Sequence, residues 1–394
     1  MNKNNLIENR RNLHKIPELL WQEVETTKFI YDKLKSLKNI KIYGGLQLQQ
    51  NSHPINSDFE IKENATGLVV EYGEAPFFLI RADIDALPIK EEESNDHYPF
   101  IKGFNSTNNN MHACGHDGHA ALLIELIKTI SENNIDASFR FLFQPAEENV
   151  KGAIRLGDWI MQNVYKMIGY HIGLGQEQNT IGVGSTSFLG VRKILLDFYG
   201  KSAHACNSPE EGINVLPIFM SYYNLANEML KDSRCRNIIN FGTIKGGNSI
   251  NAVMDHISVG MDVRSFTDEL LNEIVCKLEN LAHNLAKING ASASFVIDGS
   301  AQCYYENDHD SVNEISKILN DNNIETTLFP KFGASEDVTL IMQKVKQFNP
   351  EAKTIHLLLG TDLKGPHHDK TFDFPEDDLI FFYNALEKII LNWQ

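Results

Sequence analysis

The most informative stretch of this sequence is Met111-His-Ala-Cys-Gly-His-Asp-Gly-His119, because it predicts a functional loop that leads into a buried helix. It places one thiol and three imidazoles beside two glycines, and the largely apolar segment 120–130 follows it directly. Cysteine and histidine are the ligands that zinc and related metals prefer in proteins. A polar turn whose histidines cap a helix is the alternative, but four such ligands on one glycine-rich loop favour a metal site.

Further ligand types stand at the ends of predicted strands elsewhere in the chain. Three short apolar segments read as strands, and each leads into such side chains: Asp83 and Asp85, the pair Glu147 and Glu148, and His171. Open α/β sheets carry functional residues at the carboxyl ends of their strands, so these segments predict one edge of a parallel sheet. Solvated turns and an exposed acidic pair are the alternative interpretation.

The ligand types together suit a pair of metal ions. Two neighbouring divalent cations need roughly five or six protein ligands, and such pairs serve the hydrolysis of amides or phosphoesters. The adjacent carboxylates of Glu147 and Glu148 point in different directions, so that one can bind metal while the other faces a substrate.

The hydrophobic pattern changes near residue 190 and again near residue 300. Between them the predicted order is β-α-β-β-α-β, which is typical of a ferredoxin-like module. We therefore expect an α/β protein with a mixed, mostly parallel sheet flanked by helices. The expected domains are a catalytic domain formed by 1–189 and 300–394, and an inserted ferredoxin-like lid or dimerisation domain over 190–299.

Composition excludes several classes of function. The 394 residues are 42% hydrophobic and 22% charged, which is ordinary for a globular protein. The amino terminus is polar and no apolar run is long enough to cross a bilayer, so we expect a cytoplasmic protein without a membrane partner. A formal charge of -16 argues against nucleic acid.

The five cysteines do not predict a disulfide framework, because their number is odd and their spacing irregular. Only Cys114 stands among other ligand types. We expect the remaining four to be packing residues: Cys206, Cys235, Cys276 and Cys303.

A set of motifs across the whole chain resembles the M20 metallopeptidase family, in its amidohydrolase branch, subfamily D. That branch includes aminoacylases, hippurate hydrolases and auxin-conjugate hydrolases. The matching pieces occur in the family's order: Leu13-His14 with Pro17-Glu18, Arg81-Ala-Asp-Ile-Asp-Ala-Leu-Pro88, Met111–His119, Phe143-Gln-Pro-Ala-Glu-Glu148, His171, Gly200-Lys-Ser-Ala-His-Ala205, Asn251, Arg264 and Ser335-Glu-Asp337.

The resemblance implies a role for each matching residue. It implies two divalent metal ions, Zn or Mn, held by Cys114, His116, Glu148, His171 and His368. It also implies that Glu147 is the general base and that Asp85 orients a ligand. Cys114 stands where related peptidases carry a bridging Asp, so its thiolate is expected to bridge the metals. Relatives carry His-x-Pro-x-Phe near the last ligand, whereas this chain has His368-Asp-Lys-Thr-Phe372, which leaves His367 as the alternative to His368.

Residues of the inserted domain are implied to contact the substrate. His204 resembles the family histidine that reaches the scissile carbonyl. Asn251 and Arg264 resemble residues that hold the substrate carboxylate, often across a dimer interface. Each of the three could instead be structural.

The function implied is a metal-dependent amidohydrolase that cleaves small N-acyl or N-aroyl amino acids, p-aminobenzoyl-glutamate among them, with a metal-activated water and a glutamate base. A homodimer, or a pairing with a related second subunit, is expected. Two alternatives stay open: a dipeptidase or carboxypeptidase, and a non-catalytic metal-binding homologue. The retained general base and ligands argue against the last.

Overall fold

A computed structural model describes residues 3–45, 66–231, 238–304 and 307–393. The chain divides into two compact units. The first contains Met1–Thr186, Tyr305–Phe332 and Leu340–Gln394, and the second contains Ser187–Tyr304 and Gly333–Thr339. The domain limits given above from the sequence remain predictions.

Strands and helices alternate along most of the described chain. The strands are β1 Ile40–Gly44, β2 Leu68–Tyr72, β3 Phe77–Asp83, β4 Phe139–Gln144, β5 Val164–Ile172, β6 Thr180–Val183, β7 Gly190–Tyr199, β8 Ile238–Gly246, β9 His256–Ser265, β10 Ser292–Ala301, β11 Glu325–Leu328 and β12 Lys353–Leu359. The α-helices are α1 Lys3–His14, α2 Val24–Leu34, α3 Tyr98–Ile101, α4 His116–Asn133, α5 Val215–Lys231, α6 Asp268–Ile288, α7 His309–Asp321, α8 Val338–Phe348 and α9 Glu376–Asn392.

The first unit is built on an eight-stranded sheet in the order β1-β2-β4-β3-β5-β12-β6-β11. The four central strands β4, β3, β5 and β12 are mutually parallel, whereas β1, β2 and β6 introduce antiparallel pairs. Every residue of β3 and β4 is buried, as is typical of parallel strands that are covered on both faces. The predicted mixed, mostly parallel sheet is confirmed.

Helix α4 lies at the centre of this unit. It packs against β3, β4 and β5 of the sheet and against α1, α2 and α9. Its first sixteen residues are almost all buried, so it lacks the polar stripe of a surface helix. Burial of this kind fixes the position of its amino-terminal turn, which contains His116.

The second unit contains a four-stranded antiparallel sheet in the order β10-β7-β9-β8. Along β9 buried and partly buried residues alternate, which is the pattern of a sheet with one covered face. Helices α5 and α6 pack on that face around Phe198, Tyr222 and Val259. The element order β-α-β-β-α-β confirms the predicted ferredoxin-like module.

Within the described residues, no helix is both long and apolar enough to span a membrane. The described cysteines 114, 206, 276 and 303 are free. The prediction that the others are packing residues is wrong for Cys206 and Cys276, which are exposed, because one lies in a loop and the other on the outer face of α6. Cys235 lies outside the described residues.

Candidate metal centre

The carboxyl ends of β4, β3 and β5 meet at one edge of the large sheet, because the three strands are adjacent and parallel. Asp85 follows β3 by two residues, Glu147 and Glu148 follow β4, and His171 is the penultimate residue of β5. All four side chains are buried. Residues far apart in the sequence therefore gather at one edge of the sheet.

The predicted loop over Met111–His119 ends earlier than the sequence pattern indicates. Helix α4 begins at His116, so His116 and His119 lie on its first turn rather than in the loop. Gly115 precedes the helix with φ 90°, a left-handed conformation that side chains with a Cβ rarely adopt. This turn places Cys114 and His116 next to each other at the amino end of α4.

Two groups of three ligand types share one sulfur atom. Cys114, His116 and His171 form the first group, and Cys114, Glu148 and His368 form the second. Within each group the candidate ligand atoms lie within 4.8 Å of one another. The donors are thiolate, imidazole and carboxylate, which suit Zn²⁺ and, through the carboxylate, Mn²⁺. The residues present thus fit a pair of divalent cations with Cys114 between them.

His116 has the geometry of a metal ligand. Its Nδ1 donates to the backbone oxygen of Asp85 at 2.9 Å, whereas its Nε2 is buried without a hydrogen-bond partner among the described residues. Such an arrangement, with one ring nitrogen fixed by a carbonyl and the other left open, is common for metal-binding histidines. Burial by itself would lower the pKa of His116, but the Asp83 carboxylate and the bond to Asp85 raise it well above its usual value.

Cys114 and His171 face each other in the same buried space. The Cys114 Sγ lies 3.4 Å from the His171 Nε2. Burial, followed by the negative charge of Glu148, raises the pKa of the thiol, so the sulfur is protonated unless a cation lies beside it. Burial also lowers the pKa of His171 well below its usual value, which keeps this imidazole neutral and its lone pair available.

Asp85 holds the turn that carries the acidic pair. Its two carboxylate oxygens accept hydrogen bonds from the backbone N–H groups of Glu147 at 3.1 Å and Glu148 at 2.9 Å. The preceding residue, Ala146, is left-handed with φ 57°. The Glu147 Oε2 lies 3.9 Å from the His116 Nε2. Asp85 therefore fixes the backbone from which both glutamates project.

Glu23 is a residue of the site that the sequence analysis missed. Its Oε1 accepts hydrogen bonds from the backbone N–H of Ala146 at 2.8 Å and of Trp21 at 3.0 Å. The side chain is fully buried, and burial, followed by the charge of Asp85, raises its pKa well above the usual value. Three consecutive amides, at 146, 147 and 148, are thus bound by two carboxyl groups. No sequence motif distinguishes Glu23, because it directly precedes α2 and an acidic residue at the start of a helix is common.

His119 belongs to a structural network rather than to the ligand set. Its Nδ1 donates to the Asp83 Oδ1 at 2.5 Å, and its Nε2 accepts from the backbone N–H of Ile172 at 2.9 Å. Arg81 donates to the other carboxylate oxygen of Asp83 at 2.7 Å. Both ring nitrogens of His119 are occupied, so it supports the site without being able to bind a cation.

The two adjacent imidazoles after β12 both lie near Cys114 but have different neighbours. His368 has φ 63° and places its Nε2 3.6 Å from the Glu148 Oε1, while its backbone N–H donates to Ala113 at 2.9 Å. His367 places its Nδ1 3.6 Å from the Cys114 Sγ. His368, rather than His367, belongs to the group with Cys114 and Glu148.

A buried polar cluster holds α1 against the start of α4. His14 contacts the Asp117 Oδ2 through Nδ1 at 2.8 Å and the Glu91 Oε1 through Nε2 at 3.0 Å. Burial by itself would lower the pKa of His14, but the bonds to Asp117 and Glu91 raise it to about 9. Burial would raise the pKa of Glu91, but the bonds from His14 and His97 lower it to about 2. The cluster is therefore ionic at neutral pH.

Of the three residues predicted to contact substrate, two lie in paired segments of the inserted module and the third lies elsewhere in it. The segments of His204 and Asn251 are paired. His204 and Ala252 form an isolated antiparallel β-bridge, and the Ala205 N–H donates to the backbone oxygen of Asn251 at 3.0 Å. This pair adjoins the start of β9, whereas Arg264 stands at its end, where it binds both oxygens of Asp262. Eight residues of strand correspond to about 26 Å.

Comparison with protein families and curated proteins gives a consistent set of matches. The sequence model of the peptidase family M20/M25/M40 matches residues 79–392. The chain is 26% identical to the A-type subunit of p-aminobenzoyl-glutamate hydrolase from Escherichia coli (strain K12), over 98% of this chain and 94% of that protein. It is 29% identical to indole-3-acetyl-aspartic acid hydrolase of Enterobacter agglomerans, over 81% and 74%.

Solved structures match over almost the whole chain. A dinuclear metal-binding peptidase from the M20 family of Bacillus subtilis superposes with a TM-score of 0.67 at 27% identity, over 99% of this chain and 98% of that one. An aminobenzoyl-glutamate utilization protein from Klebsiella pneumoniae superposes with a TM-score of 0.76 at 19% identity, over 98% and 95%. The second likeness concerns the fold alone.

Proposed function

Because the chain belongs to the peptidase family M20/M25/M40, metal-dependent hydrolases that act on amide bonds, we propose that it cleaves N-acyl or N-aroyl amino acids with a pair of divalent cations. Membership of this family and hydrolase activity were predicted from the motifs and are confirmed. The acyl group, the metal and the residue roles below are proposals.

The sulfur atom shared by two ligand groups is the main observation behind this proposal. Cys114 belongs to both three-residue groups, so a thiolate at this position would be available to both ligand sets. His116 and His171 complete one ligand set, and Glu148 and His368 complete the other. The open, buried Nε2 of His116 supports the same assignment, because a buried polar atom without a partner is costly unless something binds it.

Glu147 is the proposed general base. When bound, a pair of divalent cations supplies the positive charge that polarises an amide carbonyl and makes water more acidic. Glu147 accepts a proton from the attacking water and returns it to the nitrogen of the leaving amine, as a positioned carboxylate does in general acid–base catalysis. The water oxygen joins the carbonyl carbon, the C–N bond breaks, and a carboxylic acid and an amine result.

Asp85 acts through the backbone. Its bonds to the amides of Glu147 and Glu148 hold the base and a ligand in fixed relative positions. Its own backbone oxygen fixes the tautomer of His116, so that Nε2 faces the site. One aspartate thereby orients three functional side chains.

The substrate class rests on the relatives. Several curated relatives are named for N-acyl amino acids, and p-aminobenzoyl-glutamate and indole-3-acetyl-aspartic acid both carry an acidic amino acid behind the scissile amide. We take p-aminobenzoyl-glutamate as the leading substrate. A substrate with two carboxylates suits a site that recruits Arg264 and Asn251.

The inserted module is proposed to contribute from a second chain. Asn251 lies before the start of β9 and Arg264 near its end. The length of the strand, about 26 Å, is too great for one small substrate to bind both in one protomer. Two protomers remove this difficulty, because a substrate can contact Arg264 of one chain and the His204–Asn251 segment of the other. An exposed apolar surface on α5 and on the edge strand β8, which includes Met220, Tyr223 and Ile244, suits such pairing. A homodimer, or a related second subunit, fits this surface.

The test measures the hydrolysis of three classes of substrate by protein that has been loaded with Mn²⁺ or Zn²⁺. Release of p-aminobenzoate, of acetate and of amino acid is measured from p-aminobenzoyl-glutamate, N-acetyl-glutamate and a glutamate dipeptide. We expect the highest kcat/KM for the aroyl substrate and no turnover after chelation. A preference for the dipeptide would favour the peptidase alternative.

Glu147→Gln provides the matched control. The variant should lose turnover by about 10²–10⁴-fold, the usual contribution of a general base, while keeping its metal content. Absence of turnover by metal-loaded wild-type protein on all three substrates would instead support a non-catalytic metal-binding role.

A further inference from the structure

His367 is a second imidazole beside Cys114, and it is held in one orientation. Its ring packs between Phe372, at 5.0 Å between ring centroids, and His171, at 5.4 Å. Gly173, with φ 83°, leaves room for the ring, since a Cβ there would lie 2.8 Å from the His367 Nε2. A residue with a Cβ at this position would displace the ring and would also be strained at this φ.

The hydrogen bonds of His367 determine which ring nitrogen carries the proton. The backbone N–H of Leu174 points at the Nε2 at 3.3 Å, so this nitrogen accepts. A neutral imidazole that accepts at one nitrogen carries its proton on the other. The proton then lies on Nδ1, the atom that is 3.6 Å from the Cys114 Sγ.

We propose that His367 donates its Nδ1 hydrogen to the sulfur of Cys114 and is not itself a metal ligand. The inference rests on the proposed metal centre, and it assigns the fifth ligand position to His368. A protonated Nδ1 has no lone pair for a cation. Hydrogen bonds to a ligating sulfur withdraw electron density from it and tune the metal site. His367 is thus a positioning residue, which sets the donor strength of the bridging thiolate.

The experiment replaces the native metal with Co²⁺, whose bond to a thiolate gives a charge-transfer absorption in the near ultraviolet. Loss of the N–H···S bond raises the energy of the sulfur lone pair, so the band moves to longer wavelength. His367→Gln removes the donor from the Nδ1 position, whereas His367→Asn keeps an N–H group at that place along the side chain. We expect a shift to longer wavelength in the Gln variant and a band close to that of wild type in the Asn variant.

The same titrations count the bound metal. Both variants should hold as many equivalents of Co²⁺ as wild type, because His367 contributes no ligand. Loss of one equivalent, or a changed visible d–d spectrum in both variants, would identify His367 as a ligand and overturn the proposal. A band that is present in wild type and identical in the Gln variant would overturn the donor role alone. A wild-type protein without any thiolate band would overturn the metal centre itself, and with it this role.

Discussion

Cys114 is the side chain on which both ligand groups depend. A sulfur atom is a soft donor that prefers Zn²⁺, while a carboxylate at the same place admits Mn²⁺ more readily. The resemblance noted in the sequence implies aspartate at this position in related peptidases, and from it we expect the site to accept either donor. The identity of residue 114 should therefore affect which metal binds more than whether metal binds.

Replacement of Cys114 tests this view. Cys114→Asp should keep two metal equivalents and shift the Mn:Zn ratio toward Mn, whereas Cys114→Ala should lose at least one equivalent and most activity. Metal content is measured by mass spectrometry after the apoprotein is loaded from an equimolar mixture of Zn²⁺ and Mn²⁺. Full occupancy in the Ala variant would contradict the bridging role.

Glu23 is predicted to position the acidic pair through Ala146. Glu23→Ala leaves the buried Ala146 N–H without its acceptor, so we expect a loss of about 1–3 kcal/mol in unfolding free energy. Disturbance of the adjacent turn should also lower activity by about 10–100-fold, as is usual for residues that support a metal site. Urea unfolding and kcat are the measurements.

Glu23→Gln is the matched control. The raised pKa disfavours the charged form of Glu23, and glutamine keeps both its shape and an accepting oxygen at the same place. This variant should stay close to wild type in stability and kcat. A Gln variant as impaired as the Ala variant would show that a charge, rather than the hydrogen bond to Ala146, is what matters.

Helix α4 positions His116, and its packing is tight at Gly118. A Cβ at this position would lie 2.8 Å from the Phe374 Cζ and 3.0 Å from the Ile172 Cδ1, both of them buried side chains. Alanine is the better helix former by about 1 kcal/mol, but overpacking of a core costs about 1–3 kcal/mol. We expect Gly118→Ala to destabilise the protein, as measured by urea unfolding. Glu132→Ala, on the exposed end of the same helix, should have little effect.

Helix α1 is joined to α4 by an ionic cluster that should weaken in alkali. The pKa of His14 is raised from 6.5 to about 9 in the folded protein. Its contribution is therefore complete below pH 6.5 and is lost as the pH rises through about 9. We expect the metal-free protein to lose ~3 kcal/mol of unfolding free energy between about pH 6 and pH 9.5 from this group.

The carboxylate Glu91 of the same cluster acts in the opposite direction. Its pKa is lowered from 4.5 to about 2, so its contribution is present above pH 4.5 and is lost as the pH falls through about 2. His14→Gln separates the two effects, because glutamine does not titrate. The variant should be less stable near neutral pH and should show a smaller alkaline decline. An equal decline in both proteins would place its origin elsewhere.

At the scale of the whole molecule, we proposed that the inserted module of one chain contributes to the substrate site of the other. Each complete active site then needs residues from two protomers. Glu147→Gln and His204→Ala should each be inactive when pure. In a mixture that has exchanged subunits, one site of each mixed dimer combines an intact Glu147 with an intact His204. Activity should recover to about a quarter of wild type, because half of the dimers are mixed and each has one complete site.

The control is a mixture of two other single variants, Glu147→Gln and Cys114→Ala. Both of these changes lie in the first unit, on the residues of one centre, so mixed dimers gain no complete site and activity should not recover. If the mixture of Glu147→Gln and His204→Ala also fails to recover activity, the proposal is contradicted. His204 then either serves the same site as Glu147 of its own chain or has a structural role.

Much of the fold followed from local patterns in the sequence. Continuous apolar runs predicted the buried parallel strands, as in β3 and β4, and the change to β-α-β-β-α-β order predicted the second module. These properties are local, because side-chain periodicity depends on the geometry of a single element. The apolar pattern predicts a helix start four residues after the observed one at His116, because a histidine-rich and glycine-rich turn carries no apolar periodicity.

The residue types of the candidate site also followed from the sequence, whereas their pairing did not. Three features depend on the tertiary structure. The carboxyl group of residue 23 binds the amide of residue 146, both ring nitrogens of His119 are occupied while one of His116 is open, and Arg264 stands far from Asn251. Contacts between residues distant in the sequence are set by strand register and helix packing, which bring together groups that no local pattern connects. The sequence alone therefore determined which chemistry the chain carries, and the tertiary structure decided which atom of each side chain faces it, because hydrogen-bond partners are fixed only when distant segments meet.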